Sequence, residues 1–281
     1  MKVILGGVRG TSCIARPDFM TFGGDTTSVL VEGDAGDRIL IDAGTGIRVL
    51  GQRLEGQEGA PAPLLLFTHY HLDHLIGLPS LSLLYRSESR ILIASPVREG
   101  RSAQDVLPSF MAEPYWPVQM SELHASIEFM NWKEEASGEP YRFGGLEVRW
   151  CPVHHPGGCT AYRIDEPRTG RSVVMATDVE WNLSTPDERK AFFRLCAEPA
   201  PPSLLLFDGQ FSRENYGQFT GWGHSAWEDA MDAAREAKAK LLLVIHHAPQ
   251  SADTQLAALD RDISSAMPNA HLGRCGMEVI L

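Results

Sequence analysis

An α/β fold is predicted by three features of the 281-residue sequence. Short aliphatic or β-branched runs that end on Gly, Asp or His recur through both halves of the chain. A stretch of helical period lies between two of the later runs. No Pro/Ser/Gly linker, low-complexity tract or short-period repeat interrupts the pattern, so residues 1–281 read as one domain.

In chain order, KVILGG, TSVLVEG and RILIDAG read as strands closed by a Gly or Asp where the backbone turns. APLLLFTH repeats the theme and stops at a group of histidines. HLIGLPSLSLLYRS is expected to be helical around Pro79, and RILIAS to return to a strand. From Arg98 to Glu122, Pro108, Pro114 and Pro117 interrupt the chain around Tyr115 and Trp116, which reads as a loop or lid. LEVRWCPVHH, TAYRID, RSVVMATD, SLLLFDGQ and KLLLVIHH then each run apolar, most of them into His or Asp. In SAWEDAMDAAREAKAK, Ala226, Trp227, Ala230, Met231, Ala234 and Ala237 recur near a period of 3.6, with Ser225 in position to cap the helix.

Composition narrows the function classes. The chain is 43% hydrophobic, enough to bury a sizeable core. MKVILGGVRG lacks a signal-peptide core and no run approaches a membrane span, so a cytoplasmic protein with no membrane partner is expected. Cys13, Cys151, Cys159, Cys196 and Cys275 are scattered without a CxxC pair, which argues against a disulfide framework or a thiolate zinc site. The net charge of −11 and the absence of a Lys/Arg cluster argue against a large nucleic acid as partner, because affinity for a phosphate backbone comes from neutralising it.

The segment FTHYHLDHLIG places His69, His71, Asp73 and His74 directly after an apolar run. Imidazole and carboxylate are costly to crowd together unless a cation organises them, so four such groups point to metal. In an extended exit from the strand, His69 and His71 project to the same side, while Asp73 and His74 begin the next turn and diverge. That arrangement suits two adjacent metals, the form that clamps both the entering and the leaving oxygen of a displacement.

These motifs resemble the metallo-β-lactamase superfamily, whose signature is H-x-H-x-D-H, and within it the branch of RNase Z-type and cyclic-phosphate phosphodiesterases. The resemblance runs through GVRGTS, FGGDTTSVLV, ILIDAGTGIR, THYHLDHLIGLP, VHHPGGCTAYRI, VVMATDVE, LLLFDGQF, GWGHSAWEDAMDAA and LLLVIHHAP in that order. It implies an αββα four-layer sandwich and two divalent ions, zinc or manganese, since nitrogen-rich His/Asp ligation suits either. His69, His71 and a histidine of HHPGG would hold one ion. Asp73, His74 and a histidine of VIHHAP would hold the other, with Asp178 bridging. Both distal positions are doublets. His155 is chosen as the residue directly before PGG, and His246 as the first after its strand, which leaves His154 and His247 to orient ligands or face substrate. Asp42 is either a support for the metal loop or a surface turn residue, and Asp25 departs from the asparagine common in GGNT.

His224 precedes the helix start, where free amides and the dipole favour an anion. A histidine there can touch phosphate and protonate a leaving oxygen. The resemblance implies a carboxylate partner, matched by Asp208, so Asp73, His224 and Asp208 are the expected catalytic residues. The expected reaction is hydroxide attack on a small phosphodiester, a 3′,5′-cyclic nucleotide first, because the segment corresponding to a tRNA-gripping arm is short and not basic. The alternatives are an RNA 3′-end endonuclease, a hydrolase of carboxylic esters, lactones or thioesters, and a non-catalytic ligand-sensing module. A homodimer is left open. Tyr115, Trp116 and Trp222 are candidates to stack on a base, with packing the commoner fate of Trp222.

Overall fold

A computed structural model describes residues 1–55, 61–135 and 138–281. Six strands in succession build a first sheet: β1 (Lys2–Gly7), β2 (Ser28–Glu32), β3 (Arg38–Ile41), β4 (Leu64–Leu66), β5 (Arg90–Pro96) and β6 (Ser126–Trp132). Seven build a second: β7 (Tyr141–Phe143), β8 (Leu146–Val153), β9 (Cys159–Glu166), β10 (Arg171–Ala176), β11 (Leu204–Asp208), β12 (Leu242–Ile245) and β13 (Ala270–Leu272). The last strand, β14 (Glu278–Ile280), returns to the first sheet beside β1. Both sheets are mixed. β3 to β6 and β10 to β13 pair in parallel, while β14, β1 and β2 and β7 to β9 pair antiparallel.

Side-chain alternation sorts each strand between two cores. In β11, Leu204 and Leu206 enter the core between the sheets, with Val3, Ile39 and Leu64 of the first sheet and Ile164 of the second. Leu205 and Phe207 point the other way. There they meet helices α3 (Pro186–Ala197), α5 (Trp227–Glu236) and α6 (Asp253–Ala266). The outer face of the first sheet is covered by α1 (Ile47–Leu54), α2 (Ala103–Phe110) and short 3₁₀ turns. Three apolar layers thus separate four layers of structure, the αββα sandwich expected from the motifs. Each fully buried Leu contributes about 1.5–3 kcal/mol relative to exposure, so the alternation is what holds the two strand-end edges in register. The remaining helix, α4 (Arg213–Tyr216), is a single turn near the candidate site.

Three local expectations are corrected. HLIGLPSLSLLYRS forms 3₁₀ turns at Leu78–Ser80 and Ser82–Tyr85 rather than an α-helix, following another such turn at Leu72–His74. Gly77 lies so close to the preceding loop that a Cβ there would sit 2.0 Å from the carbonyl of Gly44, so the chain is pinned to the turn after β3 instead of coiling freely. The stretch read as a loop or lid contains α2, started by Ser102 and Asp105, whose carboxylate accepts the Ser102 amide at 2.8 Å. Ser225 is not the cap of α5. The N-cap is Ala226, because the Ser225 hydroxyl donates to the carbonyl of Val179 and its amide is held by Asp208 at 3.0 Å.

Among the described residues, no helix is long and apolar enough to cross a membrane. The five cysteines are free, with Cys151, Cys159 and Cys196 buried.

Candidate metal centre

The loops leaving the carboxyl ends of β3, β4, β8, β10, β11 and β12 converge on one edge of the sandwich, the position at which open α/β sheets present their sites. Three of the residues there take left-handed backbone: Asp42 at φ 62°, Asp178 at φ 53° and His246 at φ 62°. Such strain persists only where the surroundings over-determine it, and it collects at functional sites.

Two clusters share one carboxylate. His69, His71, His155 and Asp178 form the first, and Asp73, His74, Asp178 and His246 the second, with the ligand-type atoms of each within 4.8 Å of one another. Oδ1 of Asp178 faces the first cluster, 3.7 Å from Nε2 of His69 and 3.9 Å from Nε2 of His155. Oδ2 faces the second, 3.1 Å from Nε2 of His74 and 3.3 Å from Nε2 of His246. Asp73 completes it, with Oδ2 at 3.4 Å from His74 and 3.3 Å from His246. The same Oδ2 accepts the amide of Thr11 at 2.8 Å.

Outer partners set the tautomers. Nδ1 of His74 donates to Asp42 at 2.8 Å, Nδ1 of His155 to the carbonyl of Gly223 at 2.8 Å, and Nδ1 of His246 to Gln210 at 3.0 Å. Asp42 and the Gly223 carbonyl can only accept, and Gln210 presents its Oε1, so a neutral ring keeps its lone pair on Nε2, which points into the cluster. Asp42 also accepts the amide and the hydroxyl of Thr68, both at 2.8 Å, and therefore supports the metal loop rather than lying on a surface turn. Asp25 accepts the Thr45 hydroxyl at 2.8 Å and braces the turn behind that loop.

The donor set fits a divalent cation. Nε2 of His69 and Nε2 of His74 are buried without a hydrogen-bond partner although carboxylate oxygens stand close by, the geometry of atoms arranged around a shared ion. Burial keeps His69 and His71 below their usual titration range and brings His155 down to about 4, so these rings are neutral donors at pH 7. His74 is opposite: burial resists its charge, but Asp178, Asp42 and Asp73 hold its proton well above the ordinary range. Burial likewise resists ionisation of Asp178 and Asp73, and the surrounding imidazoles outweigh it and keep both carboxyls far below theirs. Without a metal, His74 supplies the positive charge the carboxylates need. Cys159 lies 3.8 Å from Nδ1 of His69 and outside both donor clusters, and burial pushes its thiol upward.

His224 stands beside both clusters. Nδ1 donates to Oδ2 of Asp208 at 2.9 Å, and the ring stacks on His246 with centroids 4.8 Å apart. Burial disfavours its charge, but the field and hydrogen bond of Asp208, with Asp178 and Asp73 beyond, raise it to about 9. Asp208 is itself buried and accepts the amides of Asp178 and Ser225, each at 3.0 Å. The expected anion site at the start of α5 is thus altered: the Ser225 amide already holds a carboxylate, so His224 acts with Asp208 rather than with free helix amides.

The doublets separate cleanly. His155 and His246 are buried in the clusters, whereas His154 lies 3.6 Å from Glu188 and His247 donates to the carbonyl of Gly273 at 2.8 Å. Neither of the latter orients a ligand ring. Trp222 is 62% exposed, so packing is not its role, and Tyr115 is 75% exposed while Trp116 packs against the first sheet's outer core. Thr68, Gln210 and Glu180 were given no part by the sequence. Gln210 and Glu180 each follow a recognised Asp by two positions, which was the available signal.

The chain matches the family model described as β-lactamase superfamily domain over residues 37–247. A ribonuclease Z of Agathobacter rectalis is 25% identical over 287 residues, covering 88% of this chain and 89% of that protein. Among solved structures, the short form of human tRNase Z superposes with a TM-score of 0.70 at 18% identity, covering 100% of this chain and 99% of the other. A diphosphatase from the PhnP family gives a TM-score of 0.69 at 18% identity, covering 100% and 97%.

Proposed function

The chain belongs to the metallo-β-lactamase superfamily, and we propose that it is a phosphodiesterase that uses two divalent cations, zinc or manganese. The observation that carries the reading is the buried His224–Asp208 pair, at 2.9 Å, beside two donor clusters that share Asp178. A carboxylic ester or thioester does not call for such a pair, and a sensing module does not call for two complete donor sets.

Two such cations, when bound, lower the pKa of water and neutralise charge on phosphate oxygens. His69, His71 and His155 would hold one, Asp73, His74 and His246 the other, and Asp178 both. Asp42, Gln210 and the Gly223 carbonyl fix the tautomers of three of these rings. Because Nδ1–H of His224 is committed to Asp208, the proton available to a departing alkoxide is the one on Nε2. Asp208 keeps the ring charged until that proton leaves.

Two substrates remain in contention, and each has an observation behind it. The ribonuclease Z relatives, aligned over most of the chain, favour an RNA 3′ end over the cyclic nucleotide expected from the sequence. The net charge of −11 and the folding of 98–122 around α2, with no basic arm, favour a small phosphodiester such as a 3′,5′-cyclic nucleotide. The deciding experiment offers metal-loaded protein a tRNA precursor with a 3′ trailer, adenosine 3′,5′-cyclic phosphate, bis(p-nitrophenyl) phosphate and a lactone. Turnover of a phosphodiester is expected. Turnover of the lactone alone would overturn the reading.

A further inference from the structure

We propose that Trp222 is a stacking platform for a nucleobase carried by the leaving group of the substrate. The inference rests on the phosphodiesterase reading above and adds what the departing alkoxide is attached to. Trp222 is two residues from His224 and is 62% exposed, in a protein whose other large aromatics are mostly covered. The indole is held in place by the backbone on either side of it.

Gly221 and Gly223 flank it with φ of 87° and 89°, left-handed values that ordinary side chains rarely adopt. Their amides donate to the two oxygens of Glu180, at 2.6 Å and 2.7 Å, and Glu180 is fully buried. Its first oxygen also accepts the hydroxyl of Tyr216 at 2.7 Å. Gly223 is further locked against the first cluster, since its carbonyl takes the His155 proton and a Cβ on it would lie 2.2 Å from that ring. The loop is therefore fixed to the metal centre on one side of Trp222 and to a buried carboxylate on both.

A continuous aromatic path joins the indole to the proton donor. Phe211 meets the His224 ring with centroids 6.0 Å apart, Phe219 stacks on Phe211 at 4.3 Å and 3°, and Trp222 meets Phe219 at 5.4 Å and 79°. Phe211 and Phe219 support the loop from beneath and leave the indole exposed. Because His224 serves the departing oxygen, whatever that oxygen carries leaves along this side. A planar, apolar-faced group is what an exposed indole binds best, and in a phosphodiester of biological origin that group is a nucleobase.

The test reads binding and turnover separately. Zinc-loaded wild type, Trp222→Ala and Trp222→Phe are titrated calorimetrically with adenosine 5′-monophosphate and with ribose 5-phosphate, which lacks the base. Wild type is expected to prefer the nucleotide by roughly 5- to 100-fold, the span of one aromatic–base stack. The Ala variant should bring that ratio toward one, and the Phe variant should keep most of it. Turnover is compared on a dinucleoside monophosphate and on two analogues, each abasic on one side. Loss of the base should be felt chiefly on the departing nucleoside, and only in proteins with an aromatic residue at 222. A nucleotide preference that is absent in wild type, or unchanged in Trp222→Ala, overturns the platform even if phosphodiesters are hydrolysed. A preference that depends on Trp222 in a protein that hydrolyses no phosphodiester sustains the platform and removes the reaction assigned above.

Discussion

Glu180 accepts the backbone amide of Gly223 at 2.7 Å and through it reaches the metal centre, because the Gly223 carbonyl takes the Nδ1 proton of His155 at 2.8 Å. A buried carboxylate with three donors cannot be replaced by an amide without leaving a donor facing a donor. Glu180→Gln should therefore cost about 1–3 kcal/mol in stability and lower the affinity of the first metal. Urea unfolding and metal analysis check both. Wild-type values for the two would show that the loop does not depend on this carboxylate.

Asp42→Asn addresses the second metal. Asparagine tolerates the φ of 62° at this position, so the backbone is not the confounding factor. What changes is the acceptor for His74 Nδ1, and weakening such a support typically costs about 10–100-fold in metal affinity. Competition with a chelator should show that loss, and urea unfolding should show a cost of about 1–3 kcal/mol as well, because the new amide NH2 must face a donor of Thr68 or His74.

Metal content offers the most direct count. Protein purified without chelator should approach two ions per chain, consistent with donor clusters that share Asp178. Asp73→Ala should approach one ion and lose turnover while remaining folded, since Asp73 lies at the edge of the second cluster and the three apolar cores do not depend on it. Full activity in that variant would make the second ion dispensable.

How much of this was readable in the chain follows from what each residue does. Metal ligands have to leave strand ends together, so H-x-H-x-D-H and the later His and Asp positions stand out; of the two doublets, His246 directly follows β12 whereas His155 lies one residue beyond the first position after β8, and these two are the members that lie with the other donors. Gln210 and Glu180 act through a ring nitrogen and a loop amide that lie far from them along the chain, at separations of 36 and 43 residues, and their place two positions after Asp208 and Asp178 does not reveal those partners. The Ser225 cap was misplaced for a related reason: a tertiary carboxylate, Asp208, took the amide that local geometry would have left to the helix. By contrast α3 carries a legible signal that was passed over, Thr185 with Glu188 three residues on. The three-residue strands β7, β13 and β14 are too short to show a period, and their pairing rests on neighbours.

The pH dependence of the metal-free protein isolates the His224–Asp208 pair. His224 is raised from 6.5 to about 9 in the folded chain, so it binds its proton more tightly folded than unfolded. Its stabilising contribution is complete below the unfolded value and is lost as pH rises through the folded one. In chelated protein, the stability gap between wild type and His224→Gln should shrink between pH 6.5 and about 9. A gap that is constant over that window would mean that the pair is held by packing rather than by charge.

The sharpest separation of mechanisms comes from His224→Ala with two kinds of leaving group. An alkoxide leaves poorly without a proton, and a positioned general acid contributes about 10²–10⁴-fold. A p-nitrophenolate leaves readily unprotonated. The variant should retain both metals, because the donor sets around Asp178 do not need His224, and should lose most of kcat on a substrate with an alkyl leaving oxygen. On bis(p-nitrophenyl) phosphate it should lose far less. Asp208→Asn, which removes the charge that holds the His224 proton, should show the same split to a smaller degree. Equal losses on both substrates would reduce His224 to positioning the phosphate. No loss on either would leave the Asp208–His224 pair as a structural link between β11 and α5, and the reaction would then have to find its proton elsewhere.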